Sequence, residues 1–428
     1  MSKFQLILLV VFGSFVAIAV FLFSTNKGGG STAAATVVVW GDIPAYDFNS
    51  LLTNASAGLT SAAVKIQYVE KPSLTFSADF TEALALGQGP DLVILPLSKL
   101  YKERNKLLLI PSTSVNPSDY ASTFIEEGEL FMTPQGTYAL PLSVDPLVMY
   151  YNRDLFTNAS LPNPPKYWDE IYDFAQKLTQ KDNAGNIKQS AIALGEAKNI
   201  PNAKDIVSLL MLQAGTQVTS LSNGELRSEL TNNYNLPLVP AEAALDFYTQ
   251  FSNSAKPFYT WNRSMPQAST VFTSGALAMY IGYASELPLL RAKNPTLNLG
   301  VTSVPQSRVS GKLITFGKLR GVAVVKNTKN QPAAFAGALE IVASTVSSAL
   351  SKISGLPPAR RDLLASKPSD LANTVFYNSA VQSKGFIDPD DAKTQSSFVN
   401  MIESVTSGRA RVSEAVSTAS SELDSYTK

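Results

Sequence analysis

The spacing of apolar and polar positions divides the chain before any chemistry is considered. Phe4 to Phe23 is an apolar run relieved only by Gln5 and Ser14, with Lys3 in front of it. At ~1.5 Å rise per residue, a helix of that length reaches ~30 Å, the thickness of a bilayer's hydrocarbon core. The core of a cleaved leader is shorter, ~7–15 residues. The run therefore predicts a transmembrane signal anchor over 1–23 that stays attached, with the body on the outer side of the membrane. Ser24 to Thr36 is rich in Gly, Ser, Thr and Ala and predicts a flexible tether.

Beyond the tether the pattern changes. Val37 to Trp40 is a short β-branched run that predicts a buried strand, broken by Gly41-Asp42-Ile43-Pro44. A helix follows around Phe48 to Leu52. Val64, Ile66 and Tyr68 alternate with Lys65 and Gln67, which predicts a second strand. A helix over Phe76 to Leu86 is stopped by Gly87-Gln88-Gly89-Pro90, and Asp91 to Leu95 reads as a third strand ending at Pro96. Strand, helix, strand, helix, strand in about sixty residues predicts a parallel sheet covered on both faces.

The middle is mostly helical. Trp168, Ile171, Tyr172, Ala175 and Leu178 share one helix face after Pro164-Pro165. A strand is expected at Ala191 to Leu194 and a helix over Ala241 to Phe251. Ala276 to Gly282 reads as a turn entering a strand, and Val301 to Val304 and Gly321 to Lys326 as later strands. From Pro332 onward the pattern is largely helical.

Composition narrows the chemistry. In 428 residues there is no cysteine and no histidine. That excludes disulfides, thiolate nucleophiles, Ser-His and Cys-His catalysis, His-ligated zinc and a lipid-bearing N-terminal cysteine. Net charge is +1 with scattered cations, so nothing steers the chain to nucleic acid. No phosphate loop or dinucleotide fingerprint is present, and no cofactor is expected. Paired carboxylates would still permit glycoside hydrolysis. In a parallel sheet, ligands sit beyond the carboxyl ends of the strands. That places Trp40, Gly41 and Asp42 at one such end and Pro96, Leu97 and Ser98 at another.

Several segments, in order, resemble one family. Gly89-Pro90-Asp91-Leu92-Val93, Tyr138 to Asp145 followed by Tyr150 to Phe156, Trp168-Asp169-Glu170-Ile171, Phe272 to Met279, Gly321 to Lys326 and Gly355 to Arg360 are similar to motifs of the extracellular solute-binding proteins of ABC importers, in the maltose-binding-protein-like (family 1) group. The resemblance covers roughly Thr36 to Lys428. It implies an α/β, periplasmic-binding-protein-like fold: two α/β lobes joined at a hinge, with a cleft that closes on a solute. The expected division is 37–145 with 286–326 in the N-terminal lobe, and 146–285 with 327–428 in the C-terminal lobe. Two departures stand out. The lipid-bearing cysteine is missing, so the helix must anchor. Tyr167 stands where a hydroxyl cap is usual before the Trp168 helix.

The resemblance also implies a monomeric carrier that is not an enzyme and that delivers a carbohydrate, an oligosaccharide, to a membrane permease. A sugar's hydroxyl edge wants charged hydrogen-bonding groups, and its C–H face wants a flat aromatic ring. Seven ligand contacts are expected. Trp40 and Asp42 stand at the first strand's end, against core packing and a turn carboxylate as the plainer roles. Asp145 stands at the presumed hinge. Trp261 lies in the polar, aromatic loop Phe258 to Arg263. Tyr283 and Glu286 follow the Ala278 to Gly282 crossing, and Arg320 precedes the Gly321 strand. Asp42, Asp145 and Glu286 would equally form an anionic pocket for a polyamine or other small cation. A receptor reporting to a membrane sensor keeps the same fold. Asp388-Pro389-Asp390-Asp391 reads as a solvated helix start rather than a calcium loop.

Overall fold

The computed structural model describes residues 34–53, 64–222, 224–308 and 311–427. The expected anchor, Phe4 to Phe23, and most of the tether lie outside these. The tether ends sooner than expected, because Ala35 already pairs with Val64.

One twisted sheet runs through both lobes. Strands Ala35–Gly41, Val64–Glu70 and Leu92–Pro96 are parallel, with the first in the middle. The next strand, Thr315–Val324, lies antiparallel to Leu92–Pro96 and returns from the far end of the chain. Alternation explains both faces of the first lobe. Val37 and Val39 point into one core with Phe48, Ile66 and Leu92. Trp40 and Val93 point into the other with Phe76, Phe80 and Leu95.

Leu140–Asn152 is the long crossing strand, with 13 residues. At ~3.3 Å per residue it reaches ~43 Å. Its first half pairs with Thr315–Val324 and its second half with Leu277–Tyr283 and Leu299–Thr302. It is buried almost throughout, since one half is wrapped by each lobe. Ile187–Ile192 then pairs parallel to Leu277–Tyr283 and carries the sheet into the second lobe. That lobe has its own core, built on Trp168, Ile171, Leu209, Tyr248, Trp261 and Phe398.

Core membership divides the chain differently from the expected bounds. The expected bounds put helices Gln331–Ile341 and Ser344–Ser354 in the second lobe. Ala334, Ala338, Ile341, Val346 and Leu350 instead pack on Val37 and Leu92 in the first. Leu287, Leu290 and Val304, placed with the first lobe, belong to the second lobe's core. Helical periodicity shows that a face is buried but not against which sheet, so the sequence held no signal for this choice. Among the described residues no single helix is long and apolar enough to cross a membrane. The two first-lobe helices approach that composition only as a pair bent by 59°.

Candidate functional site

Three connecting segments meet between the lobes and carry the charged groups. On Thr315–Val324, Lys318 and Arg320 are two residues apart and so face the same way. Asp145 on the crossing strand is the register partner of Lys318. The third segment is the turn Tyr283 to Glu286 after strand Leu277–Tyr283.

Arg320 reaches across the end of the third strand to Asp42. Its Nε donates to Oδ1 at 3.0 Å and its Nη2 to Oδ2 at 3.2 Å. The pairing register slips by one residue between Arg320 and Gly321, and such an irregularity re-aims the side chain. Lys318 turns to the second lobe instead. Its Nζ lies 3.5 Å from Asp205 Oδ2 and 3.7 Å from the centre of the Tyr283 ring. The Tyr283 hydroxyl donates to the same Asp205 oxygen at 2.6 Å. One strand thus holds a carboxylate of each lobe with neighbouring cations.

Asp145 sits between them, buried, and accepts a hydrogen bond from Ser285 N at 3.0 Å. Burial raises its pKa; the Ser285 hydrogen bonds and the charges of Arg320 and Lys318 oppose this without overcoming it. Burial also raises the Tyr283 phenol, reinforced by Asp205.

The structure thus brings Asp42, Asp145, Tyr283 and Arg320 together, and gives the other three expected contacts different work. Trp261 is fully buried (0% exposed), and its indole N–H donates to Asn199 Oδ1 at 3.1 Å. Its loop is polar, yet it folds over the second lobe's core, so the ring is not a ligand platform here. Trp40 is 9% exposed and packs with Phe76 and Phe80, with Lys71 Nζ 4.1 Å above its ring. Glu286 is consumed locally. Oε1 accepts from Tyr283 N at 2.8 Å and Asn202 Nδ2 at 2.9 Å, and Oε2 accepts from the Tyr280 hydroxyl at 2.6 Å. A carboxylate three residues into a turn closes that turn's free N–H group, which is capping rather than recognition.

Other residues of this region left little trace in the sequence. Asp205 and Asn202 start helix Ala203–Ala214, far along the chain from their partners. Lys318 was legible only as the i, i+2 neighbour of Arg320. Two adjoining loops leave the first and second strands; Tyr46 (83% exposed) stands on the first turn of helix Ala45–Thr53, into which one of them leads, and Leu74 (96% exposed) stands on the other. Those loops are tied by Ala45 N donating to Glu70 Oε2 at 2.7 Å and Lys71 N to Gly41 O at 2.7 Å. The third tryptophan, Trp168, is buried as well, with its indole N–H on Gln213. Among the described residues, Tyr46 is an exposed aromatic ring beside these strand ends.

Two contacts bind the lobes away from the strands. Lys102 Nζ lies 2.9 Å from Asp390 Oδ2, and the Tyr101 hydroxyl donates to Thr427 O at 3.2 Å. Asp390 also caps helix Asp391–Thr406, and Lys204 bridges Asp388 and Asp391 at 3.1 and 2.9 Å. That acidic run is a helix start held by lysines. Among the described residues no acidic cluster fit for a metal ion is found. Cavities of about 290 Å³ beside Arg104 and Tyr138, and about 390 Å³ between the last two helices, include none of these interlobe groups.

Comparison with known proteins agrees with this architecture. The family model described as bacterial extracellular solute-binding protein matches residues 51–338. BAB2_0491 of Brucella abortus (strain 2308), whose name assigns it binding and no ligand, is 25% identical over 268 residues. The match covers 60% of this chain, which spans about 59% of the length of the curated relatives it matches. Among solved structures, the cyclic alpha-maltosyl-1,6-maltose binding protein of Arthrobacter globiformis superposes with a TM-score of 0.75 at 17% identity, covering 92% of this chain and 99% of that one. A cyclo/maltodextrin-binding protein complexed with maltotetraose gives 0.73 at 18% identity, over 93% and 98%. CpMnBP1 with mannotriose bound gives 0.66 at 20%, over 91% and 100%. At these identities the likeness is one of fold.

Proposed function

The chain belongs to the bacterial extracellular solute-binding proteins, and on that premise we propose that it closes over an oligosaccharide and delivers it to the permease of an ABC importer. In this reading the body works outside the cytoplasmic membrane as a monomer, held there by the apolar run Phe4 to Phe23. Asp42, Asp145, Tyr283 and Arg320 meet the sugar hydroxyls, and Tyr46 offers the ring for a C–H face. Trp40 supports the first strand's end from beneath.

The observation that carries the choice of a neutral ligand is the pairing of charge between the lobes. Asp42 is held by Arg320, Asp205 by Lys318 and Tyr283, and Glu286 by three donors of its own lobe. A polyamine needs free carboxylates, whereas Asp42 and Glu286 are engaged and burial favours the neutral form of Asp145. Paired ions still present oriented donors and acceptors to hydroxyl groups at low cost in desolvation. The same pairing removes Asp42 from service as a free acid in glycoside hydrolysis. Sugars named with the structural neighbours, maltotetraose and mannotriose, point to the same class.

Isothermal titration with maltotetraose, mannotriose and spermidine tests this. A sugar that binds should also stabilise the fold by about 2.7 kcal/mol at a hundredfold excess over Kd. Its affinity should hold as salt rises, whereas that of a cation would weaken. Binding of spermidine with no response to either sugar would overturn the carbohydrate reading.

A further inference from the structure

The hinge contains an acid that solute binding does not use. Glu127 lies in the 3₁₀ turn Glu126–Phe131, is 0% exposed, and neither carboxyl oxygen has a hydrogen-bond partner among the described residues. Two glycines make room for it. A Cβ on Gly317 would stand 2.8 Å from Oε2, and one on Gly385 would stand 2.7 Å from Oε1.

Both glycines belong to segments that join the lobes. Gly317 is on Thr315–Val324, paired with Pro146 of the crossing strand. Gly385 follows Ser383–Lys384, which pairs with Thr315 and Phe316. The helix before it, Leu371–Val381, sets Phe376 in the second lobe's core and Ala380 in the first's, and Phe386 after it lies in the second's. The carboxyl is thus wedged where two connections run side by side.

The groups that face it leave it unpaired. The Ser383 hydroxyl approaches from the second connection, short of a formed hydrogen bond. The crossing strand packs Val144 beside the same spot. The cation facing it, Lys384, forms an ion pair with Glu126, whose own pKa that contact lowers.

We propose that Glu127 is a positioning residue of the hinge: only as a neutral carboxyl does it fit between the two connecting segments in the lobe arrangement seen here, and its ionisation drives them toward an arrangement that hydrates it. Burial pushes the carboxyl up to about 8, and Ser383 and Lys384 oppose this without overcoming it. The sign follows from linkage. An acid raised above its ordinary value of 4.5 keeps its proton in this arrangement where a hydrated one has lost it. The preference is complete below 4.5 and is lost as pH rises to about 8. The inference rests on the two-lobe hinge of the proposed function, but not on the ligand.

The test uses the absence of cysteine in the natural chain. Lys65→Cys in the first lobe and Lys293→Cys in the second are exposed positions for spin labels. Interlobe distances are read by pulsed electron resonance on the full chain, without sugar, between pH 5 and 9. The expected result is a distance distribution that shifts with pH, ending near pH 8, and a Glu127→Gln background in which it does not move. Glu127→Met, which fills the same space without ionising, provides the same reading should the Gln variant fold poorly. No shift in the Glu127 chain, or an equal shift in both variants, overturns the proposal. A chain that shifts with pH yet binds no sugar keeps the hinge inference and loses only the ligand reading.

Discussion

Arg320 and Asp42, 278 residues apart, meet through two parallel hydrogen bonds of 3.0 and 3.2 Å. The pair joins a strand that connects the lobes to the end of the first strand, and it is only partly screened by solvent. Arg320→Ala leaves Asp42 without its donors in that setting. The expected loss is about 1–3 kcal/mol of stability, together with weaker sugar binding. Arg320→Lys restores the charge but not the two-pronged geometry, and should recover only part of either. Urea unfolding of both variants, alongside Asp42→Asn and the Asp42→Asn/Arg320→Ala double variant, measures this. If the two single losses simply add, the side chains are not coupled.

Trp261 separates packing from recognition. Its ring is fully enclosed and its N–H is satisfied by Asn199. Trp261→Ala should cost about 3–5 kcal/mol by opening a large cavity, while the folded fraction keeps its sugar affinity. Trp261→Phe should cost less, since most of the volume stays filled. Denaturation curves and titration calorimetry on the same samples decide it. A variant of near-normal stability with lost affinity would return Trp261 to the ligand.

What the sequence made legible and what it hid have one cause. Strands Ala35–Gly41, Val64–Glu70 and Leu92–Pro96 fall where β-branched runs and alternation place them, because local pattern governs them. Asp42 and Asp145 were singled out by their places after a strand end and at the crossing, whereas Arg320, inside strand Thr315–Val324, was singled out only through the family resemblance. Trp261 and Glu286 misled because their surroundings come from elsewhere in the chain. A polar loop does not reveal that it folds over a core. Nor does an acid after a turn reveal that it caps the turn. Asp205 and Glu127 carry no local signal. Each gains its meaning from a partner, Lys318 or Gly385, that is more than one hundred residues away.

Tyr46 offers the test of stacking. At 83% exposed, its ring contributes little to the fold, so Tyr46→Ala should leave the melting curve nearly unchanged. Aromatic contacts are worth about 0.5–1.5 kcal/mol beyond area burial, so sugar affinity should fall about two- to thirteenfold. Leu74→Ala, on the adjoining loop, should produce a smaller loss of the same sign. Titrations with di-, tri- and tetrasaccharides of one series measure both. Equal affinity in wild type and Tyr46→Ala across the series removes this ring from the site.

Asp145 yields a pH prediction whose sign is unusual for an acid flanked by cations. Arg320 and Lys318 both lower its pKa, yet burial outweighs them and the net displacement is upward from 3.8. The folded chain therefore holds a proton at pH values where the unfolded chain has released it. The stabilisation this provides is fully present at pH values below the ordinary carboxylate range and is lost as pH rises through the folded value. Asp145→Asn keeps an oxygen to accept the Ser285 N–H and never ionises. The stability of wild type relative to that variant should fall as pH is raised from 4 toward 7.5. Taking the difference cancels the other titrating groups, so chemical denaturation at a few pH values suffices. A wild type that gains on Asp145→Asn with rising pH would mean that Lys318 and Arg320 outweigh burial, and that Asp145 meets the ligand as a charged group held between two cations.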